Sequence, residues 1–399
     1  MLTKIIPADR TANVTYAIRD IIVLADQVKK MGKPMYYLNI GDPNVYDFST
    51  PPEIIETIHK AMLNNKNGYA SSIGETFATD AIARDAAAKG IRNIQTIFVT
   101  SGASEAIEIC LSALINEGEN FLMPTPGYPL YTAIQSKYGM KPNPYYLDES
   151  NGWQPDIEDI KSKINSKTKA IVLINPNNPT GSITKTETLK QIIELAIEHN
   201  LVIFADEIYD KLLLENNKLV SIASLNDQVP MITFSGLSKN FLAPGFRIGW
   251  GVMSGNFEFL QDYLEAVHKL LRARVSANHP LQYAIPTALD GKKEHLKEVI
   301  AKLERRRNIV IDKIANIDGI NLVPPIGAFY AFPSIDVEDD NHFCMNLLQE
   351  TGVVVVPGMG FGQKPGSHHF RIVILPTEDV LNTAFKLIDE YYSYYKTKF

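Results

Sequence analysis

Short apolar runs without the alternation of a half-exposed strand recur along the chain at 97–100, 120–123, 170–174, 201–205 and 231–234. Runs of this length and continuity predict strands buried on both faces, the mark of a mainly parallel sheet in an α/β domain. Amphipathic segments fall between them. Residues 103–116 predict one helix. Residues 184–199 predict another, with Leu189, Ile192, Ile193, Ala196 and Ile197 on its buried face and Thr184 as its N-cap. The pattern changes after residue 293. Residues 294–317 are charged and helical in period and predict a long helix. Residues 319–333 and 352–375 then show short strands punctuated by Gly and Pro, and a helix is expected from Thr377. This predicts a smaller α+β domain. No internal repeat is visible, which argues against a solenoid.

With 399 residues, 45% apolar and 21% charged, the chain has the composition of an ordinary globular protein large enough for two domains. Its formal charge of −6, with the basic residues dispersed, makes nucleic acid a poor candidate partner. Cys110 and Cys344 are too few and too distant for a disulfide framework or a metal cluster, which fits a reducing, cytoplasmic setting. Residues 1–10 lack the apolar core of a signal peptide, and no apolar run approaches the roughly 20 residues that span a bilayer, so no membrane partner is expected.

Candidate chemistry lies where predicted strands end. The strand at 231–234 runs into Ser235-Gly236-Leu237-Ser238-Lys239, and Arg247 follows a Pro-Gly turn. A lysine placed to reach a carbonyl, with a guanidinium near it to hold an anion, suits a Schiff base to pyridoxal phosphate. Ser101-Gly102-Ala103-Ser104 stands between a strand and a helix start, where free amides and the helix dipole can seat a phosphate; Ser104 and Glu105 can equally be a helix cap. Pro126-Gly127-Tyr128-Pro129 holds the Tyr128 ring at a sheet edge, for stacking on a planar ligand or for packing.

Three more segments follow the same logic. Between Asn175 and Gly181 lie three asparagines and two prolines, and the amide of Asn178 can donate to an anionic ring oxygen. Asp206 and Tyr209 follow the strand at 201–205, at the sheet edge where ligands of open α/β folds bind; a carboxylate there can hold a pyridine nitrogen protonated, cap a helix or bind a metal, and no His lies near it in sequence. Arg371 falls in an otherwise apolar strand, where a permanent charge needs a carboxylate, either a substrate's or the protein's own. His368 and His369 read as surface or packing residues.

Taken in order, Gly41-Asp42-Pro43, Tyr69, Ser101 to Ser104, Pro126 to Pro129, Asn175 to Gly181, Asp206 to Tyr209, Ser238-Lys239 to Arg247 and Phe370-Arg371 resemble the class I/II aminotransferases of PLP fold type I over nearly the whole chain. Within that family, Tyr16 to Arg19, Leu38 to Asp42, Ala205 to Lys211 and Ala277-Asn278 look most like glutamate–pyruvate (alanine) aminotransferases. One departure is Gly236, where many relatives carry a serine.

The resemblance implies an α/β fold with a large domain built on a mainly parallel seven-stranded sheet flanked by helices, and a smaller α+β domain. The expected division is an N-terminal arm and part of the small domain at 1–48, the large PLP-binding domain at 49–290 and the small C-terminal domain at 291–399. It implies pyridoxal 5′-phosphate as cofactor, no metal, and amino acid and 2-oxo acid substrates. Lys239 would form the Schiff base and shuttle the proton, Asp206 would face the ring nitrogen, and Asn178 and Tyr209 would hold the ring oxygen. Tyr128 would stack on the ring. Ala103, Ser104, Ser238, Arg247 and, from a neighbouring subunit of a homodimer, Tyr69 would hold the phosphate. Arg371 would clamp the α-carboxylate and Gly41 would contact the substrate, with Tyr16 also on the substrate side. A glutamate–pyruvate enzyme must accept a methyl group and a second carboxylate in one pocket; Arg19 is the cation expected to meet that carboxylate, with Arg274 second. The competing readings are an aspartate or aromatic aminotransferase, a carbon–sulfur β-lyase on the same cofactor, and a PLP-binding regulator, which would need a nucleic-acid-binding domain this chain lacks.

Overall fold

The computed structural model describes residues 4–8, 10–11 and 17–398, with the side chains of 17–20 left undescribed. Tyr16 lies outside the described residues, and of Arg19 only the backbone is described, within the helix Ala17–Lys30.

The expected parallel strands assemble into one sheet. In spatial order it runs Ile94–Thr100, Gly249–Ser254, Met231–Gly236, Val202–Asp206, Thr168–Ile174, Asn120–Thr125, Pro144–Asp148 and Gln154–Pro155. From Met231–Gly236 to Pro144–Asp148 every pairing is parallel. Only Gly249–Ser254 and Gln154–Pro155 are reversed. The sheet therefore has eight strands rather than seven. The extra one is a two-residue edge return after a tight turn at Glu149–Asn151, too short and polar to show in the hydrophobic pattern, and it ends on Pro155, which has no N–H to continue a ladder.

Helices cover both faces, as a doubly buried sheet requires. The crossover helix spans Thr186–His199 and buries Leu189, Ile192, Ile193, Leu195 and Ala196, whereas Ile197 is 59% exposed. Thr184 is not its N-cap. Lys185 holds that position without a side-chain bond, since the helix starts two residues later than expected, and the Thr184 amide donates to Asn175 Oδ1 at 3.0 Å. The loop after the Thr168–Ile174 strand thus fixes the entry to the next helix.

A second apolar core gathers Phe329, Phe343, Phe370, Leu381 and Tyr392 among the helices Glu294–Ile314, Asp340–Thr351 and Glu378–Lys398. The long helix stops at Ile314 rather than 317, where the amides of Ala315, Asn316 and Ile317 close turns on it. Its strands are short: Phe370–Val373 pairs antiparallel with Tyr330–Ala331 and Val356–Pro357, and Tyr36–Tyr37 runs parallel to Val353–Val354. Among the described residues no helix is long and apolar enough to cross a membrane.

Candidate active site

Five strands end on the same edge of the sheet, and each hands its next residues to one cavity of about 420 Å³. Ala103, Ser104, Tyr128, Asn178, Asp206, Tyr209, Ser238, Lys239, Arg247, Gly41 and Arg371 all line it, so residues spread over more than three hundred positions meet at one place. This is the ligand crevice that the topology of an open α/β sheet provides.

Lys239 follows the Met231–Gly236 strand, and its Nζ donates to the Gly41 carbonyl at 2.8 Å. Burial pushes its pKa down to about 8, with Arg371 and Arg247 adding repulsion and Asp42 opposing. A lysine near neutrality is a nucleophile and a base, which an exposed ammonium is not. Facing it across the floor is Asp206, the last residue of its strand. Burial raises its carboxyl to about 6, although the Ile208 amide at 3.3 Å and the Tyr131 hydroxyl at 3.2 Å donate to it. A carboxyl this buried gains most from a cationic partner brought to it by a ligand.

The anion seat is at the other end. The helix Ala103–Leu114 begins at Gly102, whose φ of +82° is strained for any residue with a side chain. A Cβ there would run into the Arg247 guanidinium, so the glycine lets Arg247 lie against the helix start. The first amides of that helix have no intrahelical acceptor and face the cavity with Arg247, an arrangement suited to a phosphate. Glu105 does act at this turn, but by accepting the Ser101 amide at 2.7 Å.

Arg371 is 2% exposed and lies between two aromatic rings, 4.8 Å from the centroids of Tyr330 and Phe361. It donates to the Asn39 carbonyl at 2.6 Å and to Asn178 Oδ1 at 3.4 Å. Tyr209 is buried, its hydroxyl 2.9 Å from that of Tyr330. Gly41 faces Tyr330 closely: an added Cβ would sit 2.6 Å from its hydroxyl.

Two expected residues stand elsewhere. Tyr69 is 88% exposed and lines no part of this chain's own cavity. Arg274 also lies outside it; it follows the helix Phe257–Ala273, which packs behind Ala103–Leu114, and it donates to the carbonyls of Ser72 and Val99 at 3.2 and 2.6 Å. His369 is buried, stacked on Phe332 with centroids 4.7 Å apart. Sequence reasoning gave no role to Tyr131, Tyr330 or Asn39. Tyr131 stands three residues after Tyr128, at the start of the helix Leu130–Tyr138, a spacing that carries the only signal for it; Asn39 acts through its carbonyl, which no side chain announces; and Tyr330 sits in an apolar run that reads as core.

The donor set fits pyridoxal phosphate part by part: an amine of lowered pKa, a buried carboxyl wanting a cation, an amide and a phenol for a ring oxygen, and a helix start with an arginine for a phosphate. No group of three or more His, Cys, Asp or Glu placed to hold a metal occurs among the described residues.

Comparison with known proteins agrees. Residues 34–387 match the family described as aminotransferase class I and II. The chain is 38% identical to the glutamate-pyruvate aminotransferase AlaA of Escherichia coli over 99% of both chains, and 37% identical to an alanine aminotransferase of Mycobacterium bovis over 96% of this chain and 92% of that one. The solved alanine aminotransferase of Pyrococcus furiosus superposes with a TM-score of 0.94 at 36% identity, covering 98% of this chain and 100% of that one. On a match of that extent, carried by the cavity its motifs build, the chain belongs to the class I and II aminotransferases.

Proposed function

We propose that this pyridoxal phosphate enzyme transfers the amino group of L-alanine to 2-oxoglutarate, giving pyruvate and L-glutamate. The observation that carries this reading is the 37–38% identity, over 96–99% of the chain, to one protein named a glutamate-pyruvate aminotransferase and another named an alanine aminotransferase. Asp206 would hold the cofactor's ring nitrogen, Asn178 and Tyr209 its ring oxygen, and Tyr128 its face. Ala103, Ser104, Ser238, Arg247 and Tyr69 of the partner subunit would hold its phosphate, and Lys239 would hold it through the amine. The bound cofactor supplies an electron sink that weakens the Cα–H bond of the amino acid. Lys239 Nζ then moves the proton at the substrate Cα, a task for which a pKa of about 8 is well matched. Arg371 would grip the α-carboxylate with its planar fork while Tyr330 and Phe361 keep water from its faces. The protein would be a cytoplasmic homodimer, its buried thiols Cys110 and Cys344 safe in a reducing compartment.

Among the described residues the cations lining the cavity are Lys239, Arg247 and Arg371, each already assigned, so a second substrate carboxylate needs another. Ile22 of the helix Ala17–Lys30 lines the cavity, and Arg19 comes three residues, about one turn, before it. We assign the distal carboxylate to Arg19, with Tyr16 nearby in sequence on the substrate side. The test is a half-reaction: holoenzyme is mixed with single amino acids and loss of its visible absorbance followed. Alanine and glutamate bleach it well ahead of aspartate and tyrosine. In Arg19→Ala the KM for 2-oxoglutarate rises about tenfold or more while that for alanine moves less than about twofold, the loss of one charged hydrogen bond. Bleaching led by aspartate or tyrosine overturns the substrate pair, and equal effects on both substrates overturn Arg19.

A further inference from the structure

Behind the cavity wall lies a closed ring of alternating charges with no part in the chemistry above. Lys89 Nζ meets Asp210 Oδ2 at short range and Asp85 Oδ2 at 3.2 Å; Lys211 Nζ meets Asp85 Oδ1 at 2.9 Å and Asp210 Oδ2 at 3.6 Å. All four side chains are at least four-fifths buried. Burial would push Lys89 down, but the carboxylates of Asp210 and Asp85 outweigh it and hold the ammonium charged. Charges placed this deep are a poor source of stability, since an apolar replacement would avoid the desolvation they suffer. What such a ring supplies is direction.

Its connection to the site is one side chain. Asn240, 1% exposed, donates from Nδ2 to Asp210 Oδ1 at 2.6 Å and accepts the Lys211 amide on Oδ1 at 3.3 Å. Both ends of the amide are thereby used and its orientation is fixed. Its own carbonyl is 3.0 Å from His295 Nε2, on the helix Glu294–Ile314. Each loop presents neighbouring residues to opposite sides. Tyr209 and Lys239 line the cavity, while Asp210 and Asn240 grip each other behind it. The ring in turn ties both loops to the helix Thr76–Ala88 through Asp85 and Lys89.

We infer that Asn240 and Asp210, anchored by the Lys89 ring, are positioning residues that set Lys239 against Tyr209 and Asp206. The inference rests on the role proposed for Lys239 and adds what holds it in place. A reacting amine displaced by about 1 Å loses on the order of a hundredfold in rate, so the link between these loops is a determinant of turnover.

The test uses holoenzyme carrying Asn240→Ala, which removes the tether and leaves the charge ring whole, with Asn240→Ser as a second, milder variant. Four quantities are read: the pH midpoint of the visible absorption change, kcat and KM for alanine, and the thermal midpoint of the cofactor-free protein. The expected result is a shifted pH midpoint and a kcat lower by about ten- to a hundredfold with KM within about twofold, the serine variant falling between alanine and wild type. A lowered thermal midpoint with pH midpoint and kcat unchanged makes the contact merely structural and overturns the proposal. Borohydride reduction of wild type followed by peptide mapping separates the two layers: cofactor found on a lysine other than Lys239 means the site assignment itself has failed, and the tether with it.

Discussion

Lys239 shows what the site demands of a single residue. Held near pH 8 against an ordinary 10.5, its amine resists protonation, and that resistance opposes folding in the cofactor-free protein. The sign follows from proton binding. The folded state binds the proton less tightly than the unfolded one, so the penalty is full below pH 8 and disappears as pH rises through 10.5. A shift of this size corresponds to about 3 kcal/mol at most, less because the group is partly open to the cavity it lines, so about 1–3 kcal/mol. Lys239→Met should therefore stabilise the cofactor-free protein by that amount at pH 7, with the gain shrinking above pH 8, as denaturant unfolding at several pH values will show. A variant equal to wild type at every pH would mean the lysine is not strained. Lys239 itself was legible in sequence because a lone lysine follows a small-residue strand end. Its neighbours Tyr330 and Asn39 were not, since a tyrosine in an apolar run looks like core and a carbonyl leaves no mark on the side-chain pattern.

At the scale of elements, the start of the helix Ala103–Leu114 forms the proposed phosphate seat, and Gly102 lets Arg247 lie against it. Alanine at 102 meets both the unfavourable φ of +82° and the Arg247 guanidinium. Gly102→Ala should destabilise the protein by about 1–2 kcal/mol and weaken phosphate-containing cofactor at least about tenfold, measured by thermal unfolding and by cofactor titration. Unchanged affinity would show that Arg247 does not need its present place. The central strands could be read from their apolar runs because burial on both faces leaves no alternation to confuse. What the pattern could not supply was competition between neighbouring elements. Asn175 accepts the Thr184 amide and the helix begins two residues on at Thr186, while the Gln154–Pro155 strand owes its pairing to the turn before it.

At the scale of the whole molecule, the proposed homodimer has one surface to account for. Tyr69 projects at 88% exposure, and around its segment Leu63, Met62, Leu270 and Val275 are exposed at 72, 43, 37 and 52%. His279 and Arg274 contact the carbonyls of Gly68 and Ser72, so the segment that carries Tyr69 is tied to residues 274–279. Exposed apolar side chains of this kind suit an association surface, and the proposed homodimer, with Tyr69 at the partner's phosphate seat, would cover them. Sedimentation should find a dimer, and Tyr69→Ala should weaken cofactor retention about tenfold by loss of one hydrogen bond to a charged group while leaving that dimer intact. A monomer with full activity would dismiss the idea.

The hold that the Asn39 carbonyl has on Arg371, and the Gly41 carbonyl on Lys239, makes a gauge of the main chain. The two cations that would face the substrate, one for its carboxylate and one for its α-carbon, are spaced by two peptide units of a single stretch. Side-chain exchange at 39 or 40 leaves both carbonyls in place, whereas a side chain at 41 would press on the Tyr330 hydroxyl and disturb the spacing. The reach from Arg371 to Lys239 is thereby set by main-chain geometry, and Gly41 is the position at which a single substitution would change it.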